Sequence, residues 1–341
     1  MDRPQPSVSR WKALRYRGEW LLCQSLATAV RWLPRRLCAV LADLLGTLAF
    51  HFDRRGRTVA LANVTMAFGP RYNPEERREI VRRSYQSFVR TMVDLLWAPR
   101  LNRDNWRDFI VMEGDMTVFK QHRDEGDADR RGAVLLCSHW GNFEWSSLAV
   151  GFHDCHVHIV AEKFKNPHLS AIFNGCREVA GHTIIPQEYS MVRLLKIVKR
   201  RGLAGMLVDL TFRPEQAAVP VVAFGRFISA TSLHAVLAQR GGADLIAVHG
   251  ESLPDGRCRV TVDPPLALPE GADLQEIAQI CWDHFAKRIE ERPELWMWAY
   301  KHWRYRPKAT PPEEYPFYAN PSGRFERLLK ATVGKAPAKK A

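Results

Sequence analysis

Two long apolar stretches open the chain, and both are too interrupted to cross a bilayer cleanly. Trp20 to Leu33 carries Leu21, Leu22, Leu26, Val30 and Leu33 among Gln24, Ser25, Thr28 and Arg31. Leu37 to Phe52 is broken by Asp43 and His51, whereas a spanning helix takes about 20 clean apolar residues. Pro34-Arg35-Arg36 separates the two stretches, and Arg10, Lys12, Arg15 and Arg17 precede them. Apolar faces flanked by Arg and Trp describe a helix pair lying in the bilayer interface. Two core helices of a soluble domain, or one spanning helix that tolerates Asp43 near an end, fit the same residues.

Further along, the spacing predicts an amphipathic helix from Pro74 to Leu96, with Ile80, Val81, Tyr85, Phe88, Val89 and Met92 on one side. From residue 133 the pattern shifts to short apolar runs: Ala133–Cys137, Val157–Val160, Leu203–Leu210, Val219–Phe224 and Leu245–Val248. Helical stretches lie between and after them: His168–Ala180, Glu188–Arg200, Leu233–Arg240 and Leu274–Glu290. Such alternation predicts an α/β fold, a mostly parallel central sheet covered by helices on both faces, with N-terminal membrane-associated helices. Arg257–Val262 alternates more strictly and reads as an edge strand. The expected organisation is a membrane-anchoring segment over 1–57, a catalytic domain over 58–306 and a Pro- and Lys-rich, partly disordered tail over 307–341.

Charge narrows the partners. Lys and Arg number 50 against 37 Asp and Glu, a net +13, and the first hundred residues hold 18 basic and 8 acidic side chains. A basic field of this kind points to an anionic membrane surface, an acidic carrier protein or nucleic acid. Nucleic acid fits least, because the Trp residues cluster with apolar neighbours rather than alternating with Lys and Arg. The 7 cysteines form no C-x-x-C pair and read as free thiols of a reducing compartment.

Catalytic signatures of other classes are missing: the sequence has no G-x-S-x-G, no G-x-x-x-x-G-K-[ST], no G-x-G-x-x-G and no H-E-x-x-H. His153, Cys155, His156 and His158 alternate across a strand, so they do not converge on a metal, and neither metal nor cofactor is expected. What remains is Leu135-Leu136-Cys137-Ser138-His139-Trp140-Gly141-Asn142-Phe143-Glu144. A strand ending at Ser138, a turn at Gly141-Asn142 and a helix beginning at Glu144 would let that carboxylate reach one imidazole nitrogen. An unbroken helix would not, since five residues turn about 500°. In this reading His139 is a general base and Glu144 fixes its tautomer. His122 and Asp127 repeat the spacing in a charged run that reads as a solvated loop.

Ser138-His139-Trp140-Gly141-Asn142-Phe143-Glu144-Trp145 closely resembles the signature of the bacterial lipid A lauroyl and myristoyl acyltransferases, a branch of the H-x4-D/E acyltransferases. Lys165-Asn166-Pro167, Asp209, Val219 to Gly225 with Ala230-Thr231, and Arg292 to Trp298 with His302-Trp303-Arg304 resemble further blocks of that family in order. The chain departs from it at Asp209-Leu210-Thr211, where the family reads D-Q-D, and at Glu162-Lys163-Phe164 and Asn174 to Arg177, which replace an Arg-rich stretch. The resemblance implies O-acyl transfer from an acyl thioester, on acyl carrier protein or acyl-CoA, to a hydroxyl of a lipid A precursor or related membrane glycolipid. Acyl-CoA-dependent transfer to a phosphatidylinositol mannoside or lysophospholipid is the alternative. Lys163, Arg177, Asp209 and Arg226 are the expected substrate-binding residues, and the inner membrane, with catalysis on its cytoplasmic side, is the expected location.

Overall fold

The structure is a computed structural model describing residues 9–119, 131–162, 164–188 and 190–333. His122, Asp127 and Lys163 therefore lie outside the described residues. The two N-terminal stretches form α1 (Arg10–Trp32) and α2 (Arg35–Phe52), hinged at Pro34, and α3 (Arg54–Phe68) follows behind an Asp53 cap that accepts from the Gly56 amide. The predicted amphipathic helix is α4 (Pro74–Trp97). Pro74 opens it, and Asn73 and Glu76 bond each other's amides in a capping box, as their order in the sequence dictates. A single turn, α5 (Trp106–Phe109), leads to β1 (Ile110–Gly114).

The alternating half supplies β2 (Ala133–Cys137), α6 (Phe143–Phe152), β3 (Val157–Ala161), α7 (Pro167–Arg177), β4 (Thr183–Pro186), α8 (Ser190–Lys199) and β5 (Leu203–Leu207). After a hairpin, β6 (Ala218–Ala223) and β7 (Arg226–Thr231), come α9 (Leu233–Gly241), β8 (Asp244–Ser252), β9 (Cys258–Val262) and α10 (Leu274–Glu291). The main sheet has the order β1-β9-β8-β2-β5-β3-β4, and β2, β3, β4, β5 and β8 run parallel. β2, at the centre, is apolar throughout and buried on both faces, as a strand between two helical layers must be. The chain crosses to opposite sides of β2 on its way to β3 and β8, which makes the C-terminal end of β2 a topological switch point, where α/β sheets open a crevice.

Two sequence expectations change here. Val219–Phe224 joins no central sheet: it pairs antiparallel with β7, because the short Phe224-Gly225 turn folds it back on the next apolar run. Arg257–Val262 is not an edge, since β1 pairs outside it.

On one face of the sheet lie α6 and α4, with α1 and α2 packed on the outer side of α4, and on the other lie α8, α9 and α10. A third core gathers Phe50, Phe68 and the β6–β7 hairpin around Trp296, Trp298 and Trp303. The N-terminal helices are thus part of the protein's interior: Ala27, Val30, Cys38 and Ala42 are fully buried with Val93 and Leu96. Their other side is bare, with Leu37, Val40, Leu44 and Leu48 exposed at helical spacing on α2, and Trp11, Leu22 and Trp32 on α1. Among the described residues no helix is long and apolar enough to cross a membrane. The tail packs Tyr315, Tyr318 and Phe325 into the fold and forms α11 (Gly323–Val333), so the part of it described is ordered.

Candidate active site

His139 stands at the end of β2, held by its surroundings at almost every backbone atom. The adjacent chain bends at Gly141, whose φ of +57° suits glycine, and a Cβ there would lie 2.0 Å from the Gly250 carbonyl oxygen. The Gly141 amide donates to Leu295 O at 2.9 Å, the Asn142 amide to Gly250 O at 2.7 Å, and the Met297 amide to His139 O at 3.0 Å. The Thr91 hydroxyl of α4 donates to Gly141 O at 2.8 Å. Asn142 caps α6 by accepting from the Trp145 amide, and its side-chain amide donates to Asp94 Oδ2 at 2.8 Å. Asp94 is buried on α4, and its Oδ1 takes Arg35 Nη2 at 2.6 Å and Arg90 Nε at 3.2 Å. Arg35 in turn lies over the Trp97 and Trp145 rings.

The carboxylate at the imidazole is Asp209. Its Oδ1 accepts from His139 Nδ1 at 2.8 Å, and its Oδ2 accepts from the His139 amide and from the Trp296 indole, both at 2.8 Å. Burial opposes ionisation of Asp209, but His139 beside it and the His139 and Trp296 hydrogen bonds prevail and hold it below the ordinary carboxylate range. A carboxylate only accepts, so Nδ1 carries the proton and Nε2 keeps its lone pair. Glu144, expected in this place, points elsewhere: from the first turn of α6 it forms a two-pronged ion pair with Arg177 of α7, at 2.9 and 2.5 Å. The reason is topological. β5 is the parallel neighbour of β2, with Leu207 opposite Cys137, so the residue just beyond β5 arrives beside His139.

The remaining candidates separate. Asp209, expected as a substrate ligand, is almost fully buried and takes three protein donors, two of them from His139. Arg226 lines a different cavity, near the tail, where its Nε donates to Glu314 O. Arg177 does line the site, and Glu144 with it. The cavity here measures about 1000 Å³. Its apolar lining comes from Leu135, Val150, Val157, Ile159, Leu207 and Val248, and its polar lining from Arg177, Arg213, Tyr300 and Arg304 together with Glu144, Glu162 and Glu188. Arg213 and Tyr300 were not read from the sequence; Trp296 was seen only as part of a motif, not as a donor to the acid. Cys137 also lines it, but burial, with Asp209 and Glu144 nearby, pushes its thiol up to about 12. It stays protonated, and among the described residues no serine or cysteine side chain bonds to His139.

A histidine clamped by a buried aspartate at the switch point of a parallel sheet, beside a large cavity lined by apolar and charged side chains, is the setting of an α/β acyltransferase. The chain belongs to the bacterial lipid A biosynthesis acyltransferase family, whose model matches residues 7–305. It is similar to the lipid A biosynthesis lauroyltransferase of Escherichia coli (strain K12), at 23% identity over 303 residues that cover 87% of this chain and 94% of that protein. It is an acyltransferase of lipid A biosynthesis.

Proposed function

We propose that the protein moves a fatty acyl chain from the thioester of an acyl carrier protein to a hydroxyl of a lipid A precursor, at the cytoplasmic side of the inner membrane. The observation that carries this reading is the His139–Asp209 pair beside a cavity lined by apolar side chains and by Arg177, Arg213 and Arg304. Asp209 fixes the imidazole so that Nε2 takes the proton of the acceptor hydroxyl as its oxygen attacks the thioester carbonyl. The carbonyl oxygen gains negative charge and is met by Arg177, whose guanidinium Glu144 holds in place. Collapse breaks the carbon–sulfur bond, and the departing thiolate takes the proton from His139. No covalent enzyme intermediate is required, in keeping with the protonated Cys137.

The bare faces of α1 and α2 support an in-plane anchorage, with leucine side chains in the acyl boundary and Arg10, Lys12 and Arg17 near lipid phosphates. The test is mass spectrometry of membrane lipids with and without the protein, joined to transfer by the purified protein. One added acyl group on a lipid A precursor supports the reading; acylation of a lysophospholipid alone overturns it.

A further inference from the structure

α8 lies on the sheet face opposite α4 and α6, and so opposite the side where α1 and α2 pack, with Leu194 and Val198 buried against the core. Ser190 and Met191 at its start, and Gln187 and Glu188 just before it, line the catalytic cavity. Its outer side carries Val192, Arg193, Lys196 and Lys199, with Arg200 following, all exposed. Residues 190 to 203 contain no Asp or Glu. Arg193, Lys196, Lys199 and Arg200 make no ion pair with any described residue, whereas the half-buried Arg82 and the exposed Arg83 of α4 share Glu79.

The fold has no use for this row. Like charges three and four residues apart on a helix repel. The helix dipole favours cations at the last turn and accounts for Lys199, but it disfavours Arg193 in the first turn. Arg193 also lies near His158, whose imidazole burial holds below its ordinary range with help from His156 and Arg193. A stripe of cations that pair with no described residue, about 10 Å long from Arg193 to Arg200, around an exposed valine on a helix whose start lines the catalytic cavity, is matched by an acidic helical surface.

We infer that the outer face of α8 is the docking surface for the acidic carrier protein that presents the acyl thioester. This rests on the carrier-protein reading of the donor given above. Docked there, the partner sits on the opposite side of the sheet from the apolar faces of α1 and α2, so it does not compete with the bilayer, and its thioester arm enters beside Met191. A coenzyme A thioester is too small to meet the whole stripe.

The test uses the full chain with Arg193, Lys196 and Arg200 changed to Glu, and a comparison variant with Arg54 and Arg55 changed to Glu, in detergent-dispersed acceptor. For the α8 variant, kcat/KM with acyl carrier protein is expected to fall about ten-fold or more and to lose most of its dependence on salt. Its kcat at saturating carrier, melting temperature and vesicle binding should hold, and the comparison variant should change by less than about three-fold. If the carrier protein is a good donor and the α8 variant uses it as well as the parent does, the docking surface is wrong and the donor reading stands. Equal losses in both variants reduce the effect to net charge and overturn the proposal. Loss of binding to anionic vesicles by the α8 variant assigns the stripe to lipid instead. If the parent accepts only acyl-CoA, the donor reading itself fails, and this inference with it.

Discussion

At the level of single residues, the site turns on which acid serves the imidazole. His139→Ala should leave a folded protein whose kcat is down by about 10² to 10⁴-fold, the usual worth of a general base. Asp209→Asn should be nearly as damaging, because an amide that donates to Nδ1 imposes the wrong tautomer, and it should do so without raising KM. Glu144→Gln should cost less, about ten-fold, by loosening Arg177 and not the ring. Steady-state kinetics with circular dichroism on all three checks the ranking; a near-neutral Asp209→Asn beside a dead Glu144→Gln would reverse the assignment. His139 was legible from Cys137-Ser138-His139-Trp140-Gly141-Asn142 because a strand, a turn and a cap follow one another locally. Asp209 was visible as the acid closing an apolar run. Its partner was not, because 70 residues separate it from His139 and only the pairing of β2 with β5 joins them.

Among the elements, the N-terminal helices present two unlike faces, one packed on α4 and one apolar and exposed. The periodicity of Leu37, Val40, Leu44 and Leu48 announced an apolar stripe, but the opposite stripe of small residues, Ala27, Cys38 and Ala42, gave no sign that it packs against α4. Changing the four exposed α2 positions to Ser should release the protein from anionic vesicles with its melting temperature nearly intact, since these side chains touch little of the core. Deleting residues 9–57 should instead abolish cooperative unfolding, because it strips α4 of the helices packed on its outer side and leaves buried Asp94 without Arg35. Flotation and calorimetry separate the two results. Arg35→Met, which removes one of two guanidinium partners of Asp94, should cost about 3 kcal/mol of stability. α3 went unseen for a related reason: Arg54–Phe68 has weak periodicity and depends on the Asp53 cap and on packing against α4. The βαβ alternation was legible throughout, whereas the choice of sheet for Val219–Phe224 rests on a tight turn that periodicity does not weigh.

For the molecule as a whole, buried histidines set the acid limit. Burial holds His182, His234, His249 and His302 at about 4, against 6.5 unperturbed. Folded, these rings are neutral in a window where the unfolded chain binds protons, so stability is full above about 6.5 and falls as pH drops toward 4. Each ring contributes up to about 1.4 kcal/mol per pH unit in that interval. Melting temperature should therefore decline steeply between pH 6.5 and pH 5, and His234→Gln should make the decline shallower; a flat profile would remove the histidines as its cause. The chain of contacts from Arg35 through Asp94 to the cap of α6 has a separate bearing on descent. The elbow between the first two helices grips Asp94, the same carboxylate that holds Asn142, three positions after His139. A segment joined in this way is not a cassette that recombination can exchange. In related chains Arg35, Asp94 and Asn142 are therefore expected to be inherited together or replaced together, and the exposed positions of α1 and α2 to drift.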